Sequence, residues 1–115
     1  TDMIVSGGVN VYPAEIEGAL EEHPGVESCI AIGLPDADLG NRVHAIVHLE
    51  PQSGGRVTGD ELRDWLGELL VRYKIPRSFE FVDAPLRDSA GKARRSALRE
   101  ERAQSPDFAR PDFAR

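Results

Sequence analysis

The chain is poor in the groups on which several kinds of chemistry depend. Its 115 residues include one cysteine, Cys29, so no intrachain disulfide can form, and a reducing cytoplasm is the expected setting. Cys29 lies in the apolar run Cys29-Ile30-Ala31-Ile32, which favours a buried small hydrophobe over a reactive thiol. The three histidines are scattered, and no Cys/His cluster has the spacing of a zinc site, so no metal is expected. His44 and His48 share one side of a strand-like stretch, but at about 3.3 Å per residue they stand roughly 13 Å apart, too far to share an ion. His23 precedes Pro24 at a helix end, and structural or surface roles suit all three histidines. There is no nucleophile elbow, and the carboxylates are too dispersed for a glycosidase-type pair. No apolar run approaches the roughly 18 residues that span a bilayer. The start lacks the charged and apolar regions of a signal peptide. Thr1-Asp2-Met3-Ile4-Val5 reads instead like the middle of something, so a cut fragment is expected.

What remains is ordinary globular composition: 40% hydrophobic, 30% charged and 6% aromatic, enough for one domain with a modest core. The net charge of −6 hides an asymmetry. Residues 1–70 carry 3 basic and 13 acidic side chains, whereas residues 71–104 carry 9 basic and 5 acidic. The second stretch could meet an anion or could be a solvated helical face. Duplex nucleic acid would be repelled by the acidic whole, so no nucleic-acid partner is expected.

Patterning predicts a small α+β domain, with about three helices against a mixed or antiparallel sheet and a hairpin at the N-terminus. Met3–Val5 and Val9–Tyr12 flank the Ser6-Gly7-Gly8 turn. Pro13 suits the first position of a helix whose inner face carries Ile16 and Leu20, with Glu15 and Glu17 complementing its positive end. Residues 26–33 read as a central strand and 35–41 as a loop. In residues 42–50, Val43, Ala45, Val47 and Leu49 alternate with Arg42, His44, Ile46, His48 and Glu50, the pattern of a half-buried strand. Thr58 and Glu61 form a capping box for a helix that buries Leu62, Trp65, Leu66 and Leu69 and closes at residues 73–77. Phe79 and Phe81 mark another strand, and a basic helix runs from about Ala93 to Ala103. The domain occupies residues 1–103. Residues 104–115, in which Pro-Asp-Phe-Ala-Arg occurs twice, read as a disordered tail.

Two features carry chemical interest. Ser6-Gly7-Gly8 permits positive φ and close approach of a ligand to backbone, although a plain hairpin turn explains it as well. Ser89-Ala90-Gly91-Lys92 puts a lysine on an exposed loop before a helix, where it could reach a phosphate or carboxylate or simply be solvated.

Together, these segments resemble a known pattern. Asp2-Met3-Ile4-Val5-Ser6-Gly7-Gly8 through Tyr12-Pro13-Ala14-Glu15-Ile16-Glu17 resembles the "DMIISGGENIYPAEVE" signature of acyl- and aryl-CoA ligases. His23-Pro24-Gly25-Val26 resembles "HPAV". Gly33-Leu34-Pro35-Asp36 with Gly40-Asn41-Arg42-Val43 resembles "GVPD…GERV". Tyr73-Lys74-Ile75-Pro76-Arg77 resembles "YKVPR", and Ser89-to-Lys92 resembles "TxxGK". The resemblance covers residues 1 to about 102 and implies the C-terminal, mobile domain of the adenylate-forming superfamily, whose AMP-forming ligases join an acid to CoA at the expense of ATP.

The resemblance implies two poses. In one, Lys92 is the catalytic side chain that contacts the carboxylate and α-phosphate as the acyl-adenylate forms. In the other, Lys92 withdraws and Ser6, Gly7 and Gly8 help line the pantetheine tunnel. Tyr73, Lys74 and Arg77 are implied contacts of the CoA nucleotide, with Ile75 standing where some members carry a basic residue. Thr1 and Asp2 fall at the hinge, with Thr1 where many members carry Asp or Lys. The implied partners are CoA, the acyl-adenylate and a missing N-terminal domain, which would hold ATP and Mg2+. No cofactor is expected in the fragment alone, and it is expected to be inactive. Two alternatives stand beside this reading: the end of a carrier-protein-loading adenylation domain, and a freestanding binding module without catalysis.

Overall fold

The structure, a computed structural model, describes residues 2–53, 56–87 and 95–105. Thr1, the segment from Ser89 to Lys92 and the repeated tail of residues 106–115 lie outside the described residues.

Strand β1 (Ile4–Ser6) pairs antiparallel with β2 (Val9–Val11). Between them Gly7 and Gly8 have φ of +58° and +83°. Two consecutive positive values define the tight turn whose twist suits a hairpin, and glycine supplies them without strain. Helix α1 (Pro13–Glu21) starts on proline at a position that needs no amide donor. Strands β3 (Val26–Asp36) and β4 (Gly40–Leu49) form a long antiparallel pair. Helix α2 (Gly59–Gly67) then provides the crossover to β5 (Ser78–Val82), which lies parallel to β4, as a parallel pairing requires. Helix α3 (Arg95–Ala103) follows. The sheet order is β3-β4-β5, one antiparallel and one parallel pairing, so the domain is α+β with a mixed sheet, three helices and an N-terminal hairpin.

The sheet has helices on both faces. One core packs Ile16 and Leu20 of α1 and Leu62 and Leu66 of α2 against Cys29, Ala31, Val43, Ala45, Val47 and Phe79. The other packs Ile30, Ile32, Leu34 and Ile46 beneath Leu98 of α3. The alternation in β4 is therefore as expected, but the strand is buried on both faces rather than half-buried. Arg42 and His44 are fully buried on the α3 side. They escape the cost of desolvation by pairing: Arg42 donates to the Pro35 carbonyl, and His44 sits between Ser78 and Glu80.

Other local expectations shift for identifiable reasons. Residues 35–41 are not a loop: Pro35 and Asp36 continue β3, an edge strand that tolerates proline. The reversal is confined to a tight turn in which Asp36 Oδ2 accepts from the amides of Asp38 (3.1 Å) and Leu39 (2.9 Å). Helix α2 stops at Gly67, Leu69 is 47% exposed, and Leu70 packs against the core instead. Residues 72–74 form a separate 3₁₀ turn. Thr58 caps α2 through the Glu61 amide (3.1 Å), but the Glu61 carboxylate completes no box. It bonds His23 Nε2 at 2.9 Å, while His23 Nδ1 accepts from the Gly25 amide. Cys29 is buried, its thiol directed at the Glu17 carbonyl, and burial pushes its ionisation well up, so it is an inert core group. No described helix is long and apolar enough to cross a membrane.

Candidate functional site

The hairpin turn is held in place by its neighbours. The Gly7 amide donates to the Leu39 carbonyl at 2.9 Å, docking the hairpin tip on the β3–β4 turn. A Cβ on Gly7 would lie 3.0 Å from Leu39 Cδ2, so a side chain there would crowd Leu39 and strain the backbone at this φ. Behind the turn, Ile4 crosses Gly33 so closely that a Cβ there would come within 3.0 Å of Ile4 Cγ2.

Across from the turn lies the segment 72–77. The Arg77 amide donates to the Val43 carbonyl at 2.9 Å, and Pro76 is buried, which fixes the segment against β4. Arg63 of α2 supports it. Its guanidinium donates to the Arg77 carbonyl (3.3 Å) and to Asp60 (2.9 Å) and lies 5.4 Å from the centre of the Phe79 ring.

The turn and the segment form the two walls of an open cleft of about 770 Å³, lined by Ser6 and Gly7 on one side and by Arg72, Tyr73 and Arg77 on the other. Tyr73 is 53% exposed, and Arg72 and Arg77 are exposed too. A glycine backbone, a phenol ring and cationic guanidiniums suit a ligand with a slender chain, a flat ring and phosphates. Two of the sequence-named residues stand apart. Gly8 does not line the cleft, and Lys74 is turned toward α1, where its ammonium bonds Glu15 at 2.9–3.0 Å. That hydrogen bond raises the ionisation of Lys74. Lys74 therefore anchors the segment to α1. Sequence reading missed Arg72 and Arg63 as cleft residues. Arg72 adjoins Tyr73, a usable signal, but nothing local distinguishes Arg63 from a surface helix arginine.

Among the described residues, the basic helix does not present a free cationic face. Arg95 donates to Asp2 Oδ2 and Glu17 Oε2, both at 2.6 Å, and to the Ala31 carbonyl at 3.2 Å. Arg99 donates to the Gly33 carbonyl (3.0 Å), and Arg102 makes a fork with both oxygens of Glu80 (2.6 and 2.7 Å). The three arginines are spaced so that they share one face, the face that α3 lays on the sheet. Much of the positive charge of residues 71–104 thus meets the domain's own carboxylates and carbonyls. Glu17, expected to complement a helix end, is instead buried at 6% exposure. Asp2, named with Thr1 at the hinge, is tied to α3 through Arg95. Among the described residues no group of three or more His, Cys, Asp or Glu side chains is placed to hold a metal ion.

Residues 15–92 match the family described as AMP-binding enzyme C-terminal domain. The chain is similar to a feruloyl-CoA synthase of Amycolatopsis sp, at 46% identity over 98 residues covering 85% of this chain and 20% of that protein. It is similar to a fatty acid–[acyl-carrier-protein] ligase of Streptomyces coeruleorubidus, at 41% identity over 86% of this chain and 19% of that one. Its fold superposes on a Mycobacterium tuberculosis fatty acyl CoA synthetase with a TM-score of 0.79 and 40% identity, covering 89% of this chain and 20% of the other. The chain belongs to the AMP-binding enzyme C-terminal domain family, within the adenylate-forming superfamily. It spans about a fifth of the length of the relatives it matches.

Proposed function

We propose that this chain is the C-terminal mobile domain of an AMP-forming acid–CoA ligase, working against a larger N-terminal domain that holds ATP, Mg2+ and the acid. It acts in the cytoplasm. Lys92 brings a fixed positive charge to the reacting carboxylate and α-phosphate, stabilising the charge that builds as the acyl-adenylate forms and pyrophosphate leaves. In the second pose the cleft takes over. The Gly7 backbone admits the pantetheine arm, Tyr73 stacks on the adenine, and Arg77 holds phosphate. The observation that carries this reading is the meeting of Ser6 and Gly7 with Tyr73 and Arg77 in one cleft, although the two groups lie far apart in the chain.

The cleft assignment has a direct test in the full-length enzyme. Arg77→Ala raises KM for CoA about tenfold, the worth of one charge-assisted hydrogen bond, and leaves CoA-independent pyrophosphate release unchanged. An unchanged KM for CoA removes Arg77 from the site. A second reading, loading of a carrier protein, is favoured by the fatty acid–[acyl-carrier-protein] ligase among the relatives. Offering the full-length enzyme CoA and a phosphopantetheinylated carrier protein in parallel decides between the two acceptors.

A further inference from the structure

Lys92 belongs to residues 88–94, a stretch bounded by two arginines, Arg87 before it and Arg95 after it. Both arginines meet the same carboxylate. Arg87 lies 3.6 Å from Glu17 Oε1, and Arg95 donates to Glu17 Oε2 at 2.6 Å. The carboxylate is itself fixed, because Oε2 also accepts from the Ala31 amide at 2.9 Å. Arg95 in turn donates to the Ala31 carbonyl. One buried group between α1 and β3 therefore gathers the chain immediately before and immediately after the lysine segment.

We infer that Glu17 is a positioning residue for Lys92, acting through Arg87 and Arg95 to hold together the chain on either side of the lysine-bearing segment. The inference rests on the adenylation role proposed for Lys92. Its physical basis is that a cation stabilises a transition state only where its position is held. Small misplacements are costly, and a segment whose ends are free to separate spends less time in the productive geometry. A buried carboxylate paired with two arginines could also serve stability alone. The two roles differ in which half-reaction they touch, because only adenylate formation needs Lys92 in place.

The test uses the full-length ligase with both half-reactions measured separately. Glu17→Gln keeps the side-chain volume and an acceptor for Ala31 but removes the charge that holds both arginines. Adenylate formation falls about tenfold in kcat with KM for ATP and acid within about twofold, while thioester formation from supplied acyl-adenylate stays within about twofold. Arg87→Met, which leaves the Glu17–Arg95 pair intact, gives a smaller loss confined to the same half-reaction, and it decides the matter if Glu17→Gln does not fold. Equal losses in both half-reactions, or no loss in adenylation, overturn the inference. Lys92→Ala measured alongside separates the two layers. If it leaves adenylation intact, the role of Lys92 itself is wrong; if it cripples adenylation while Glu17→Gln and Arg87→Met do not, only the positioning role fails.

Discussion

In the full-length ligase, Lys92→Ala lowers the rate of adenylate formation by about 10²–10³-fold, the range seen when one preorganised charge-stabilising group is removed from an active site. Thioester formation from supplied acyl-adenylate stays close to the unmodified rate. The asymmetry follows from the two poses proposed for this domain, of which only the first would bring Lys92 to the reacting centre. Substrate affinity changes little, because the ammonium acts on charge that develops in the transition state, so the loss appears in kcat. Lys92→Arg does not restore the rate: a planar fork cannot occupy the point position of an ammonium. Equal loss in both half-reactions would refute the two-pose role.

The second large effect is on stability and arises beneath α3. Glu80→Ala costs the 115-residue chain about 3–5 kcal/mol, read as a lower urea midpoint, because it strands buried partners of a buried carboxylate. The chain of contacts is fully directed. Arg42 Nε donates to Ser78 Oγ (3.3 Å), the Ser78 hydroxyl donates to His44 Nδ1 (2.7 Å), and His44 Nε2 donates to Glu80 Oε1 (3.0 Å). Arg102 supplies the countercharge from α3. This assignment makes His44 a neutral ring, consistent with burial, which lowers its ionisation below the ordinary 6.5 despite the pull of Glu80. Burial alone would raise Glu80, but the hydrogen bonds from His44 and Arg102 outweigh it and bring the carboxyl down to about 2. Both groups bind protons less readily folded than unfolded, so both favour the folded state at higher pH. The contribution of His44 is complete above pH 6.5 and declines below it. That of Glu80 is complete above its ordinary value of 4.5 and is lost as pH falls toward about 2. Unfolding measured across this window shows the gap between the unmodified chain and Glu80→Gln closing as the pH drops from 4.5 to 2. A gap that stays constant across the window contradicts the assignment.

Sequence patterning reached the elements more surely than their environments. The alternation of Val43, Ala45 and Val47 with Arg42, His44 and Ile46 placed β4 correctly, yet arginine and histidine on its second face read as solvent-facing. Their partners, Ser78, Glu80 and Arg102, come from distant segments, and no local pattern announces a buried polar network. Leu69 continued the helical spacing past Gly67, where spacing alone cannot register that the chain has turned. Glu17 was read as a helix-end charge because its burial depends on Arg87 and Arg95, which only the tertiary structure brings near. For the site, the resemblance named Ser6, Gly7, Tyr73 and Arg77 separately. The antiparallel β3–β4 turn and the parallel return of β5 set them in one cleft, and the same geometry turned Lys74 away toward Glu15 and added Arg72.

The central claim is that this domain carries part of an active site whose remainder lies on another domain. The most direct test compares pyrophosphate release by the isolated 115-residue chain with that of the full-length protein, each supplied with ATP, Mg2+, a fatty or aryl acid and CoA. The account predicts release by the full-length protein and none above background from the isolated chain. Turnover of ATP by the isolated chain would contradict it.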